Sequence, residues 1–177
     1  MRVIGLAGWS GAGKTTLIVR LLPALIARGL SVSTLKHAHH RFDVDHPGKD
    51  SFEHRLAGAR EVLVSSGQRW ALMHELRGAG EPPLSFLLDK MSRVDLVVIE
   101  GFKGDSHPKI EVHRLENAKP FLHPGDRDIV AIATDAPGPF PGLDQARLDD
   151  AGAIADLALK HARPIDEIRA RLRAAER

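Results

Sequence analysis

Apolar and polar positions along the chain change period repeatedly, and the changes mark an alternation of strands and helices. The run Arg2-Val3-Ile4-Gly5-Leu6-Ala7 is short and apolar and predicts a strand. Leu17, Ile18, Leu21, Leu22, Leu25 and Ile26 then recur at helical spacing and form one apolar face, with Gly29 as a stop. Pro23 cannot donate to the carbonyl of Val19, which predicts a bend in this helix rather than a break. Residues 31–36 predict a second strand, completing a βαβ unit with a right-handed crossover.

Further along, residues 61–65 and 69–74 are two strand-like runs separated by Ser66-Gly67-Gln68, a hairpin-like pair. Leu84, Leu87, Leu88 and Met91 trace an amphipathic helix after Pro83, and residues 94–99 form the most apolar strand of the chain. Residues 109–114 alternate polar with apolar and predict a half-exposed strand, whereas 129–133 are continuously apolar and predict a buried one. Two helical segments follow, about 149–161 and 164–175. The arginines of the second alternate with acids, as on a solvated face.

The chain has 177 residues, enough for a proper core in one domain, 1–177. No apolar run approaches the length that spans a bilayer, and the first residues read as a strand rather than a signal peptide. Cysteine is absent, which excludes disulfides and thiolate metal sites and fits a cytoplasmic location. A net charge of only +2, with no RNA- or DNA-binding signature, argues for neither a nucleic-acid nor a membrane partner.

The stretch Gly8-Trp9-Ser10-Gly11-Ala12-Gly13-Lys14-Thr15 fits G-x-x-x-x-G-K-[ST] at every specified position, between a strand and a helix. Gly8, Gly11 and Gly13 free the backbone so that successive N–H groups form an anion nest at a helix N-terminus. Lys14 would reach the β- and γ-phosphates, Thr15 would take a position on Mg²⁺, and Thr16 would support the α-phosphate side. The expected fold is therefore α/β: a three-layer P-loop nucleotide-binding domain with a mostly parallel sheet and an added hairpin-like segment.

Other candidate residues lie at predicted strand ends. Glu100 closes the apolar strand in the manner of a Walker B carboxylate, while Asp95, roughly 16 Å earlier along an extended chain, caps its entry. Lys36-His37-Ala38-His39-His40 ends the second strand; His37 and His39 share a face, as a metal pair, as loop histidines, or as contacts to phosphate, nucleotide or partner. Asp50, three residues before Glu53, is either a helix N-cap or a Mg²⁺ ligand. Asp135 is either a carboxylate that reads guanine or part of an ordinary Asp-Pro turn, and no N-K-x-D signature accompanies it.

Together, Ala7-Gly8-Trp9-Ser10-Gly11-Ala12-Gly13-Lys14-Thr15-Thr16, Leu35-Lys36-His37-Ala38-His39-His40, Asp45-His46-Pro47-Gly48-Lys49-Asp50-Ser51, Ala57-Gly58-Ala59, Gln68-Arg69-Trp70-Ala71-Leu72 and Glu100-Gly101-Phe102-Lys103 resemble the MobB family of molybdopterin-guanine dinucleotide biosynthesis adapters, of the P-loop GTPase class. The resemblance implies binding of GTP and Mg²⁺ and weak GTP hydrolysis. It also implies a homodimer and partnership with the guanylyltransferase that attaches GMP to the molybdenum pterin cofactor. Carried across, Lys14, Thr15, Asp50 and Glu100 keep the phosphate and metal roles given above. No arginine finger in cis is evident, so turnover is expected far below the roughly 1–100 s⁻¹ of kinases. A P-loop small-molecule kinase is the competing expectation. Residues 61–74, joined by 109–114, are the expected dimer interface, because a two-stranded excursion is marginally stable alone.

Overall fold

A computed structural model describes residues 1–38 and 42–176. In chain order its elements are β1 (Arg2–Ala7), α1 (Lys14–Ile26), β2 (Val32–Lys36), α2 (Asp50–Leu56), β3 (Glu61–Ser65), β4 (Trp70–His74), α3 (Leu84–Asp89), β5 (Leu96–Glu100), β6 (Lys109–His113), β7 (Ile129–Thr134), β8 (Asp144–Arg147), α4 (Ala151–His161), β9 (Arg163–Pro164) and α5 (Ile165–Ala175). They form two compact units, Met1–His37 with Pro83–Arg177, and Ala38–Pro82.

The first unit is built on one sheet in the order β2-β5-β1-β6-β7-β8, every neighbouring pair parallel, with the short β9 antiparallel on β1. Alternation along the strands sends side chains to two faces. Ile4, Leu6, Leu96, Val98, Ile110 and Val112 pack with Leu17, Leu21 and Leu25 of α1 and Ile154, Ala155 and Ala158 of α4. Val3, Val97, Ile99 and Leu35 pack with Leu84 and Leu88 of α3 and Ile168 and Leu172 of α5. A fully buried Leu or Ile is worth about 1.5–3 kcal/mol over an exposed one, so these two clusters hold the three layers together. Helix α1 continues through Pro23. Asp95 caps the entry to β5 as expected, its Oδ2 accepting from Ser31 N–H (2.8 Å) and Ser31 Oγ (2.6 Å).

Strand β6 departs from the half-exposed reading of residues 109–114: all five of its residues are buried, because it runs between β1 and β7. Its polar positions are each satisfied inside the unit. Lys109 donates to Lys103 O (3.0 Å) and Asp126 (2.8 Å), Glu111 accepts from the Leu122 and His123 amides, and His113 contacts Thr134 Oγ1 and Lys119 O. A strand enclosed on both edges is not free to join an intermolecular interface, which removes 109–114 from the expected one. The edge strand β8, with the sequence DQAR, carries no apolar run and gives no periodic signal. The α5 arginines are not simply solvated either: Arg169 and Arg173 pair with Asp89, and Arg171 with Asp128.

In the second unit, β3 and β4 form an antiparallel hairpin in which Leu63 faces Leu72 and Ser65 faces Trp70. Leu63, Trp70 and Leu72 therefore share one face and are exposed, whereas Val62 and Met73 lie on the other face, with Val62 buried. Arg55 of α2 ties the unit together, donating to both oxygens of Asp43 and to Glu75 (2.9 Å). Asp50 is not the N-cap of α2; that position belongs to Lys49, with no side-chain cap, and Asp50 is the first helical residue. The helix stops at Leu56, and Gly58 turns the chain just beyond it with φ +113°. Among the described residues, no helix is long and apolar enough to cross a membrane.

Candidate functional site

The glycine loop leaves the carboxyl end of β1, which is paired on both edges and cannot shift without breaking two ladders. Gly8, Gly11 and Gly13 all have positive φ. Packing reinforces this demand at Gly8, where a Cβ would stand 2.4 Å from the Val112 carbonyl oxygen. Helix α1 then starts with Gly13 at its N-cap, no side-chain cap and no acidic residue in its first turn. Helix α4, by contrast, is capped by Asp150, which accepts from Ala153 N–H (2.9 Å). The first amides of α1 thus keep their donors for an anion, on the positive end of the helix dipole.

Side chains converge on this loop from three strand ends. Thr15 Oγ1 donates to Glu100 Oε1 (3.1 Å), and Lys36 Nζ lies 3.5 Å from Glu100 Oε2. The Lys36 contact follows from register, since Lys36 and Glu100 are directly paired on adjacent strands, and the pairing of Glu100 with Leu6 sets it beside the end of β1, from which the glycine loop leaves. Lys14 Nζ donates to Gly8 O (2.9 Å) and Trp9 O (3.0 Å). Burial holds the Lys14 pKa below the usual lysine value; Glu100 pulls it back up, and the nearby Lys103 and Lys36 push it down further. Lys103 stands over the Trp9 ring, 4.8 Å from its centroid. Nothing in the sequence singles out Lys36 or Lys103; the parallel pairing of β2, β5 and β1 is what brings their strand ends beside the loop.

Of the residues expected to hold Mg²⁺, two lie in the first unit and one in the second. Thr15 and Glu100 meet, and a hydroxyl with one buried carboxylate fits an ion that takes one or two carboxylates and leaves its other positions to phosphate and water. Asp50 belongs to the Ala38–Pro82 unit, exposed in the first turn of α2. His37 packs its ring against Phe102, 4.8 Å between centroids, and its N–H donates to Glu100 O. His39 and His40 lie outside the described residues. Among those described, no three His, Cys, Asp or Glu side chains cluster as a metal site.

Asp135 and the residues after β6 complete the surroundings. Asp135 is exposed, and its Oδ1 accepts from Leu115 N–H (2.7 Å). Asn117 Nδ2 donates to Ser10 O (3.0 Å), and Trp9 Nε1 donates to Pro120 O (2.8 Å). The Arg114 guanidinium lies beside Gly13, its Nη2 3.1 Å from where a Cβ would be. Nothing in the sequence of residues 109–114 reveals that their strand is the neighbour of β1, which is what brings Arg114 beside the loop. Thr16 is exposed in the first turn of α1.

With this geometry in view, residues 3–135 match the family described as MobB, molybdopterin guanine dinucleotide synthesis protein B. The chain is 44% identical over 164 residues to the molybdopterin-guanine dinucleotide biosynthesis adapter protein of Escherichia coli (strain K12), covering 89% of this chain and 91% of that one. It is also 44% identical over 138 residues to the protein of that name from Haemophilus influenzae, covering 76% and 75%. A crystal structure of molybdopterin-guanine biosynthesis protein B superposes with a TM-score of 0.70 at 29% identity, covering 89% of this chain and 97% of that chain. Bacillus subtilis MobB superposes with a TM-score of 0.72 at 25% identity, covering 92% and 99%.

Proposed function

This chain belongs to the MobB family, and from that premise we propose that it is an adapter of molybdopterin guanine dinucleotide synthesis that binds GTP with Mg²⁺ at the glycine loop and hydrolyses it slowly. The observation that carries the nucleotide reading is the hydrogen bond from Thr15 to Glu100 at the mouth of a loop that leads into a helix with no side-chain cap. Bound Mg²⁺ would neutralise the β- and γ-phosphate oxygens. Thr15 and Glu100 would hold it, Lys14 would turn its ammonium toward the phosphates, and the amides from Gly13 to Thr15 would cradle them. Glu100 is engaged by Thr15 and Lys36, which suits it to positioning a cation rather than to taking a proton from water. Slow turnover suits an adapter that organises a cofactor-synthesis step with a guanylyltransferase in the cytoplasm. We assign the exposed face of Leu63, Trp70 and Leu72 to a homodimer contact.

Titrating GTP and ATP side by side, with and without Mg²⁺, against wild type and Lys14→Ala tests the site. Tighter GTP binding that Lys14→Ala abolishes, with an unchanged melting curve, supports it; equal affinity of the two proteins overturns it. Incubating Mg·GTP with small acceptors separates activities: free phosphate supports the GTPase, and a phosphorylated acceptor replaces it with a kinase.

A further inference from the structure

The loop has two flanks of different construction. Toward β5 and β2 stand Glu100, Lys36 and Lys103. Toward β6, the segment 114–120 crosses the loop and meets it three times, at Trp9 through Pro120, at Ser10 through Asn117, and at Gly13 through Arg114.

This segment is fastened from behind as well. Asp135 holds the Leu115 amide, Glu111 holds those of Leu122 and His123, and Phe121 stacks on His113 (3.8 Å) and packs against Phe140. His113 Nε2 donates to the Lys119 carbonyl, which leaves Nδ1 to accept from Thr134 Oγ1, whose oxygen in turn accepts from Ala136 N–H. Arg114 is thus delivered to the loop by a strap with anchors on both sides. Its Nε is buried and has no hydrogen-bond partner among the described residues. A buried guanidinium N–H without an acceptor is costly, and an anion in the glycine loop supplies acceptors beside it.

Topology indicates which part of the anion this would be. Thr15 and Glu100 would hold the Mg²⁺ that accompanies the outer phosphates, so the terminal phosphate would lie toward β5 and the inner phosphates toward β6. We propose that Arg114 binds the inner, α- and β-phosphates of the nucleotide in the glycine loop, while Lys36 and Lys103 attend the terminal one. The inference rests on the nucleotide-binding reading above. A guanidinium suits the task, because its planar fork meets two oxygens of a diphosphate at once.

The test is calorimetric titration of GTP and of GDP, each with Mg²⁺, into wild type, Arg114→Gln, Arg114→Lys and Lys36→Ala, with thermal melting of each protein alone. Arg114→Gln is expected to weaken GTP and GDP by the same factor, about ten-fold to a hundred-fold. Arg114→Lys should fall between it and wild type, and Lys36→Ala should weaken GTP more than GDP. Wild-type affinity of Arg114→Gln for both nucleotides overturns the proposal, as does a loss confined to GTP. If Arg114→Gln does not melt cooperatively, Arg114→Lys carries the test, and unchanged affinity there overturns it. Failure of the wild type to bind either nucleotide overturns the nucleotide reading itself, a result visible in the same series before any variant is compared.

Discussion

Thr15 and Glu100, 85 residues apart in the chain, share a hydrogen bond of 3.1 Å that joins the head of α1 to the end of β5. The contact is half-enclosed, with Glu100 9% exposed. It places a hydroxyl and a carboxylate where one cation can meet both, and it gives the first prediction a defined target.

Glu100→Gln keeps the shape of the side chain and an oxygen that still accepts from Thr15, but removes the charge. Mg²⁺-dependent GTP hydrolysis is expected to fall by about ten-fold to a hundred-fold, in line with loss of a metal-orienting carboxylate, while nucleotide binding in EDTA stays close to wild type. Equal loss in both conditions would assign Glu100 to the loop's architecture instead.

Asp135→Asn retains an oxygen for the Leu115 amide, whereas Asp135→Ala leaves that amide to solvent. If anchoring the strap is the main task of Asp135, the asparagine variant keeps its GTP-over-ATP preference, and the alanine variant weakens both nucleotides together through loss of one exposed hydrogen bond, worth about 0.5–1.5 kcal/mol. Selective loss of GTP in Asp135→Asn would mark the carboxylate as the reader of guanine.

Trp70→Glu puts a charge on the exposed face that Trp70 shares with Leu63 and Leu72. A two-fold contact sets the same patch against itself, so the substitution introduces repulsion in both copies at once. Sedimentation velocity at tens of micromolar is expected to show a wild-type dimer and a variant monomer that still binds GTP. A wild-type monomer, or a dimeric variant, removes this face from the interface.

His107 is fully buried against Gly5, and burial, assisted by the Lys109 charge, lowers its pKa from 6.5 to about 4. The unfolded chain therefore takes up a proton below about pH 6.5 that the folded chain refuses until about pH 4, so stability declines as pH falls through this window and flattens beneath it. The loss is on the order of 3 kcal/mol across the window. Urea denaturation from pH 7 to pH 4 should show this decline in wild type and a shallower one in His107→Leu. Parallel slopes would place the acid sensitivity elsewhere.

What the sequence made legible was whatever depends on local pattern. The glycine loop, α1, the hairpin and the apolar β5 with Glu100 at its end all declare themselves through spacing or periodicity, and each stands within a residue or two of its expected limits. What stayed hidden depends on neighbours. Lys109, Glu111 and His113 alternate with apolar residues as a half-exposed strand would, yet each polar group has a partner from another element, so the alternation records two buried faces of different polarity. Arg114 gave no signal for the same reason, since its importance comes from the adjacency of β6 to β1. Asp50 has the residue type and the spacing of a cap, but the helix begins one position earlier than a cap would require.

The strap over the glycine loop also bears on how the site comes into being. Asn117 reaches Ser10 across 107 residues and Pro120 reaches Trp9 across 111. A nascent chain that has emerged as far as residue 95 already displays the complete glycine-lysine-threonine motif, yet it owns neither Glu100 nor Arg114. Contacts so distant in sequence form late, after the loop-closure entropy between them has been met. Ligand affinity then becomes a late-appearing marker of folding: a variant that loosens β5 or β6 silences the motif without altering one of its residues.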